Sequence, residues 1–380
     1  MTIARRTVRA NRLIARAASI AILCSSPAGA QCVPAWMSMG SGPSPRFATG
    51  LAFDSARAGS VLFGGFADAG IVGDTWILSG GVWSPASPVT SPPARYNHAM
   101  AFDSARSRVV LFGGLDSSFA PLGDTWEWNG AAWALVSTTG PVPGPGSAMA
   151  FDVAHAVTVL FNGNAGGTWL WNGATWSQAH PSMAPSYRRD AALAFDSARA
   201  RVVMFGGYSA AGESAETWEW DGADWSFRTS SGPAPRQAPA MAFDAGRARC
   251  VLFGGDGIPY TPLGDTWEWD GSTWTPGAGG PAPRFYHAMT YDSAGGYIVL
   301  FGGGDNSGNF GDTWRRACVC YANCDASSVP PVLNVNDFSC FLNRFAAGDA
   351  YANCDGSSTP PVLNVLDFSC FLNRFAAGCT

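Results

Sequence analysis

Apolar residues along this chain fall into short runs of about five, punctuated by Gly, Pro, Asp and Asn. One stretch shows the pattern plainly. His98 to Phe102 reads as a first strand, and Asp103-Ser104-Ala105-Arg106 as a turn. Arg108-Val109-Val110-Leu111-Phe112 is then an unbroken apolar run, which suits a strand buried on both faces. Thr125-Trp126-Glu127-Trp128 and Ala131-Ala132-Trp133 follow, on either side of Asn129-Gly130. Asn-Gly between two apolar runs signals a two-residue hairpin. That turn predicts Trp126 directly across from Trp133, and likewise Trp76 with Trp83, Trp169 with Trp176, Trp218 with Trp225 and Trp267 with Trp274.

The four-strand unit repeats. Phe-Gly-Gly recurs at Phe63, Phe112, Phe205, Phe253 and Phe301, with Phe161-Asn162-Gly163 as a variant, at intervals of 44–49 residues. Five hairpins and the second tryptophans Trp128, Trp171, Trp220 and Trp269 account for all 16 Trp except Trp36 and Trp314. Trp314 lies on a third strand with no fourth after it, and Trp36 on a strand with no partner before unit one. The N-terminal strand is therefore expected to complete the sixth unit. Across roughly residues 32–317, the Phe-Gly-Gly, the Gly-Asp-Thr-Trp (Gly123 to Trp126, Gly264 to Trp267) and the spaced Trp resemble the kelch β-propeller family. The resemblance implies an all-β, six-bladed propeller, with tryptophans packing between blades. The Asp of Gly-Asp-Thr-Trp reads as a turn and capping residue, and Cys250, in the buried strand, as a free core thiol.

A propeller names no function, so the informative positions are those where blades differ. Arg46, Arg95, Arg188, Arg236 and Arg284 precede five first strands, and Gly144 the other. The next residue is aromatic at Phe47, Tyr96 and Phe285, in the contiguous blades 6, 1 and 2, where His98 and His287 share one repeat position. One reading is a ligand patch for a glycan, acidic group or protein, built from Arg46, Phe47, Arg95, Tyr96, His98, Arg284, Phe285 and His287. The competing reading pairs each Arg with a turn carboxylate and packs the rings under loops. Some kelch relatives are copper oxidases, but a copper centre needs convergent His and Tyr. The repeat register scatters His98, His155, His180 and His287, and no triad or zinc pattern is visible, so a catalytic role is not expected.

Composition adds compartment and charge. Arg5, Arg6, Arg9, Arg12 and Arg16, the apolar run Ala17 to Leu23 and Ala28-Gly29-Ala30 read as a secretory signal peptide over residues 1–30, too short to span a bilayer. Its removal leaves 18 Arg against 28 carboxylates, which argues against a nucleic-acid partner. Export makes disulfides expected for the nine Cys that remain. Cys32 and Cys318, four residues from Trp36 and Trp314, are placed to replace the missing turn of the closing hairpin.

Residues 318–380 form a separate tail. Its copies 321–350 and 351–380 agree at 25 of 30 positions. Each carries Asn-Cys-Asp-x-Ser, then Leu-Asn-Val-x-Asp-Phe, then an apolar stretch of helical spacing. Without the Ser/Pro insert, Asn323, Asp325, Ser327, Asn334 and Asp337 follow the ligand order of a calcium loop, as do Asn353, Asp355, Ser357, Asn364 and Asp367. Two loop-plus-helix units ending in Gly-Cys resemble a dockerin, a small α-helical module. The resemblance implies calcium and a cohesin-like scaffold partner met by Val335, Asn336, Val365 and Leu366. Four Cys within the copies allow three connectivities; the simplest is Cys324–Cys340 and Cys354–Cys370, with Cys320–Cys379 tying the ends. The expectation is an exported binding protein: residues 31–317 carry the ligand face and 318–380 attach it to an extracellular or cell-surface assembly. A carbohydrate-active enzyme and a structural envelope protein are the alternatives.

Overall fold

Each apolar run becomes the second strand of a four-stranded antiparallel sheet, and six such sheets, two of them extended by a short fifth strand at Arg46–Phe47 and Arg236–Gln237, make the body. This is a computed structural model, and it describes residues 33–163, 167–319, 335–346, 367, 368, 371 and 372. The first blade comprises Gly50–Asp54, Gly59–Ala67, Gly70–Ser79 and Val82–Ala86; the second, Ala99–Asp103, Arg108–Phe112, Thr125–Trp128 and Trp133–Ser137. The third, fourth and fifth begin at Ala148–Asp152, Ala192–Asp196 and Ala240–Asp244. The sixth takes Ala288–Asp292, Tyr297–Phe301 and Asp312–Val319 from one end of the chain and Val33–Ser41 from the other. The N-terminal strand thus closes the ring, and the six inner strands neighbour one another around a central axis. Closure covers the apolar blade faces that an open array would expose and leaves only short edges.

The core lies between blades. Val109, Val110, Leu111 and Phe112 are fully buried, as are their counterparts in the other second strands, Cys250 among them as a free thiol. Burying each such side chain stabilises by about 1.5–3 kcal/mol. Tryptophan adds directional contacts at the seams. The outer-strand indoles of Trp133, Trp176, Trp225 and Trp274 each donate to a Thr hydroxyl of the preceding blade, at 2.7–3.0 Å.

The hairpin register differs from the expected one. Trp133 faces Trp128, not Trp126, and Trp171–Trp176, Trp220–Trp225 and Trp269–Trp274 pair in the same way. The cause is the turn. The Asn129 side chain accepts from the N–H groups of Ala131 and Ala132 at 2.9 Å, so the loop holds four residues, not two, and shifts the register by two. In the first blade a two-residue Gly80-Gly81 turn sets Trp83 opposite Leu78 and Trp76 opposite Pro85. The sixth blade shares the shift: Trp36 faces Arg316, and the Cys318 backbone opposes Pro34. The placement of Cys32 against Cys318 assumed that Trp36 faced Trp314, which it does not.

In the tail, Val335–Ala346 is a helix, and its Phe338, Phe341 and Phe345 lie on one face. Phe341 stacks on Phe371 at 4.1 Å, while Phe338–Phe371 and Phe341–Phe368 are 6.3 and 6.2 Å apart. Thirty residues separate Phe338 from Phe368 and Phe341 from Phe371, so the duplicated segments meet through equivalent side chains, the reciprocity of a two-fold contact. Asp367 is buried. Val335, Asn336 and Asp337 contribute the first residues of the helix. The other expected calcium ligands (Asn323, Asp325, Ser327, Asn334, Asn353, Asp355, Ser357 and Asn364), Val365, Leu366 and residues 1–30 lie outside the described residues. So does at least one Cys of every expected disulfide. Among the described residues, no helix is long and apolar enough to cross a membrane.

Candidate functional site

The expected patch separates into two kinds of residue. Arg46, Arg95 and Arg284 are buried, with Arg188 and Arg236, inside their own blades. The Arg95 fork donates to both Asp124 oxygens at 2.7 and 2.8 Å and to the Gly113 carbonyl at 3.0 Å. Trp126 Nε1 donates to the same carboxylate at 2.6 Å. Burial raises the Asp124 pKa, but the bonds from Arg95 and Trp126 outweigh it and hold the carboxyl below its ordinary value. Asp74, Asp265 and Asp312 repeat the arrangement with Arg46, Arg236 and Arg284, and Glu216 does so with Arg188. The third blade lacks both partners, having Gly144 and Gly167 at those positions. Loss of the pair together is what a buried ion pair demands, since either member alone would be an uncompensated charge. These guanidiniums brace blades and are not presented to a ligand; the Asp of Gly-Asp-Thr-Trp is their counter-ion.

His98 and His287 are also buried, with rings against Phe63 and Phe253 of the preceding blades at 5.7 and 5.4 Å. Burial first, and the neighbouring Arg95 and Arg284 second, lower each pKa to about 3, so both imidazoles are neutral.

The aromatic residues are half-buried. Phe47 stacks on Phe66 at 5.3 Å and lies 6.4 Å from Tyr96 and 6.0 Å from Tyr286. Tyr96 meets Phe66 and Phe119, and Phe285 meets Tyr286 at 5.9 Å. Six rings from blades 6, 1 and 2 thus form one continuous aromatic platform, packed mostly edge to face; Phe119 is 60% exposed and the other five are half-buried. Phe47, Tyr96 and Phe285 were legible from the repeat; Phe66, near the end of the Gly59–Ala67 strand, Phe119, in a loop, and Tyr286 were not.

Beside the platform lies the mouth of the axial channel, which the sequence did not reveal. The residue two after each Arg position turns inward: Ala48, Asn97, Gly146, Asp190, Ala238 and Tyr286. All six have positive φ, between 51° and 73°. This backbone lets five of the six link to the preceding blade through N–H to carbonyl bonds: Asn97 to Ala48, Asp190 to Gly146, Ala238 to Asp190, Tyr286 to Ala238 and Ala48 to Tyr286, at 2.8–3.0 Å. Small residues alternate with large polar ones around the ring. Tyr286 donates its hydroxyl to Asp190 Oδ2 at 3.0 Å, and Asn97 Nδ2 donates to Oδ1 at 3.3 Å. Three alternate blades are therefore tied across the axis. Burial raises the Asp190 pKa despite these bonds and nearby Arg189, and it raises that of Tyr286 as well. Only Ala recurs at this position, at Ala48 and Ala238, so no repeat signal marked it.

The far side of the mouth is polar. Arg189, half exposed, lies over the Tyr208 ring at 5.0 Å. Gln237 Nε2 donates to Asp256 Oδ2 at 3.4 Å, and burial with nearby Glu213 raises the Asp256 pKa. A face with aromatic rings on one side and amide, carboxylate and guanidinium on the other has the chemistry to stack a ring and hold its polar edge. The opposite end of the channel is a cavity of about 300 Å³ lined chiefly by Ala, Met and Phe of the inner strands.

Among the described residues, no group of three or more His, Cys, Asp or Glu could hold a metal ion. No family model and no curated protein sequence matches this chain.

Proposed function

We propose that this chain is a secreted, non-catalytic binding protein: a kelch-type propeller that takes a glycan through the aromatic platform of blades 6, 1 and 2. The supporting observation is the platform itself. Phe47, Phe66, Tyr96, Phe119, Phe285 and Tyr286 form one aromatic surface next to a polar channel mouth. Contiguous surface aromatics are uncommon without a partner to cover them, and aromatic faces beside a few placed polar groups suit sugar rings. The duplicated tail, on its resemblance to dockerins, would attach the propeller to a cohesin-like or other envelope scaffold, with calcium in its loops.

The test is an oligosaccharide array with the full chain, followed by titration of the best binder. Phe47→Ala and Tyr96→Ala are expected to weaken binding about tenfold each, the scale of one lost stacking contact. Unchanged binding, or a protein ligand in place of a glycan, would remove the platform reading. Attachment is tested by capture from an envelope extract of the producing organism, with calcium or with chelator. Recovery of the same proteins by a chain lacking 318–380 would sink it.

One observation favours a second reading, a carbohydrate-active enzyme. Asp190 and Asp256 are buried carboxylates beside the channel mouth, and burial raises the pKa of each, as it does for a general acid. Release of reducing ends from a bound oligosaccharide, abolished by Asp190→Asn, is the outcome that would establish it.

A further inference from the structure

The position held by Phe47, Tyr96 and Phe285 recurs across the channel mouth with different chemistry. Each residue there pairs with the one that follows Phe-Gly-Gly in its own blade: Phe47 with Phe66, Tyr96 with Leu115, Arg189 with Tyr208, Gln237 with Asp256 and Phe285 with Gly304. In blade 1 the pair is ring on ring, Phe47 on Phe66 at 5.3 Å. In blade 4 it is cation on ring, with the Arg189 guanidinium 5.0 Å from the centre of Tyr208. That contact holds a 45% exposed side chain in place on the face that carries the platform.

Arg189 differs from its neighbour Arg188, which is buried and bonds to Glu216, Ser186 and Ser214. Arg189 Nε stands 3.6 Å from Asp190 Oδ2, outside hydrogen-bond reach. Among the described residues, its terminal nitrogens have no hydrogen-bond partner. The same Asp190 oxygen receives the Tyr286 hydroxyl at 3.0 Å, and the other receives Asn97 at 3.3 Å. Asp190 is thus turned toward the axis, its side chain 3% exposed, while the guanidinium beside it stays open to solvent next to Tyr286 of the platform. Asp256 is buried and engaged by Gln237. Glu213 is separated from Arg189 by Tyr208, which pairs with both. The charge presented beside Tyr286 is therefore the cation. An open guanidinium fork matches a planar carboxylate, which takes two parallel N–H bonds.

We infer that Arg189 receives the carboxylate of an acidic sugar, a uronate, whose ring lies on the platform at Tyr286. This rests on the glycan reading above and names the class of glycan. The probes are oligomers of glucuronic, mannuronic and galacturonic acid, each titrated against the full chain beside its methyl ester, which keeps the sugar and removes the charge. At least one free acid is expected to bind about tenfold more tightly than its ester, the scale of a charge-assisted hydrogen bond. The advantage is expected to shrink with added salt. Arg189→Gln is expected to abolish the difference within the pair, and Arg189→Lys, which keeps the charge but not the fork, to retain only part of it. The paired ligands report on the unaltered chain, so the test survives if a variant fails to fold. An acid preference that persists in Arg189→Gln would overturn the assignment. Preference for sulfated neutral oligomers over uronates would overturn the carboxylate. Equal binding of acid and ester that depends on Phe47, or tighter binding of amino sugars, would overturn the acidic class and leave the platform. Absence of any Phe47-dependent glycan binding would overturn both readings.

Discussion

Trp36 Nε1 donates to Thr266 Oγ1 at 3.0 Å, joining residues 230 positions apart. Trp133 makes the same bond to Thr75, and Trp83 to Thr313. One indole–hydroxyl contact therefore recurs at every seam between blades, including the seam closed by the far end of the chain. The closing strand is held by the same chemistry as the others, although no hairpin turn connects it.

Removing that bond has a defined size. Trp36→Phe keeps the ring that packs 5.2 Å from Phe253 but removes the donor. The expected loss is about 1 kcal/mol, with a similar coupling to Thr266→Val in a double-mutant cycle by urea unfolding. Trp36→Ala also removes packing and is expected to lose about 3 kcal/mol. Additive single effects would mean that the hydrogen bond contributes nothing.

A second contact is made at three seams and not at the others. Trp171 and Trp269 donate their indole N–H to Glu127 and Glu219 of the preceding blades at 3.0 and 2.9 Å, and Arg316 takes the equivalent place against Glu268. In the third blade the Glu position holds Leu170, and the buried Trp220 Nε1 has no partner. Leu170→Glu supplies the absent acceptor. It is expected to raise stability by about 1 kcal/mol, where a carboxylate at a half-buried site ordinarily lowers it. A fall in melting temperature would show that the indole is not reached.

The Arg–Asp pairs predict non-additivity. Arg95→Ala leaves Asp124 without its main counter-charge and is expected to lose about 3–5 kcal/mol. Adding Asp124→Gly, in imitation of the third blade, is expected to recover part of that loss. A double variant worse than the single one, measured by chemical denaturation, would contradict the pairing argument.

Stability depends on pH through the buried imidazoles. The folded pKa of His98 and of His287 is lowered to about 3. Unfolded His takes its proton near pH 6.5. Below that pH the unfolded state binds protons that the folded state refuses, so this contribution is complete above about pH 6.5 and is lost as the pH falls toward 3. Each ring is expected to remove about 1.4 kcal/mol per pH unit over that window. Asp190, Asp244 and Asp256, with raised pKa values, oppose part of the loss, because the folded state takes up their protons first. Arg95 and Asp124 flank His98, and Arg284 and Asp312 flank His287, all charged between pH 5 and 6.5. His98→Gln with His287→Gln is expected to flatten the curve between pH 6.5 and 5. Parallel curves for variant and parent would refute the neutral burial of these rings.

The sequence alone determined the blade count and the closure. Phe-Gly-Gly spacing and the tally of tryptophans are repeat properties, and one unpartnered strand at each end leaves a single way to close a ring. It also identified the platform rings Phe47, Tyr96 and Phe285, because they break the repeat at one position. Only the tertiary structure decided three other matters. Asn129-Gly130 fits a two-residue or a four-residue loop, and the side-chain bonds to Ala131 and Ala132 choose the longer, which puts Trp128 and not Trp126 opposite Trp133. Arg95 beside Tyr96 reads as part of a surface patch until Asp124, 29 residues on, is seen to draw the guanidinium inward. Asn97, Asp190 and Tyr286 share neither type nor proximity in the chain. They become one cluster because six inner strands converge on an axis, and convergence is a property of the closed ring that no single repeat carries.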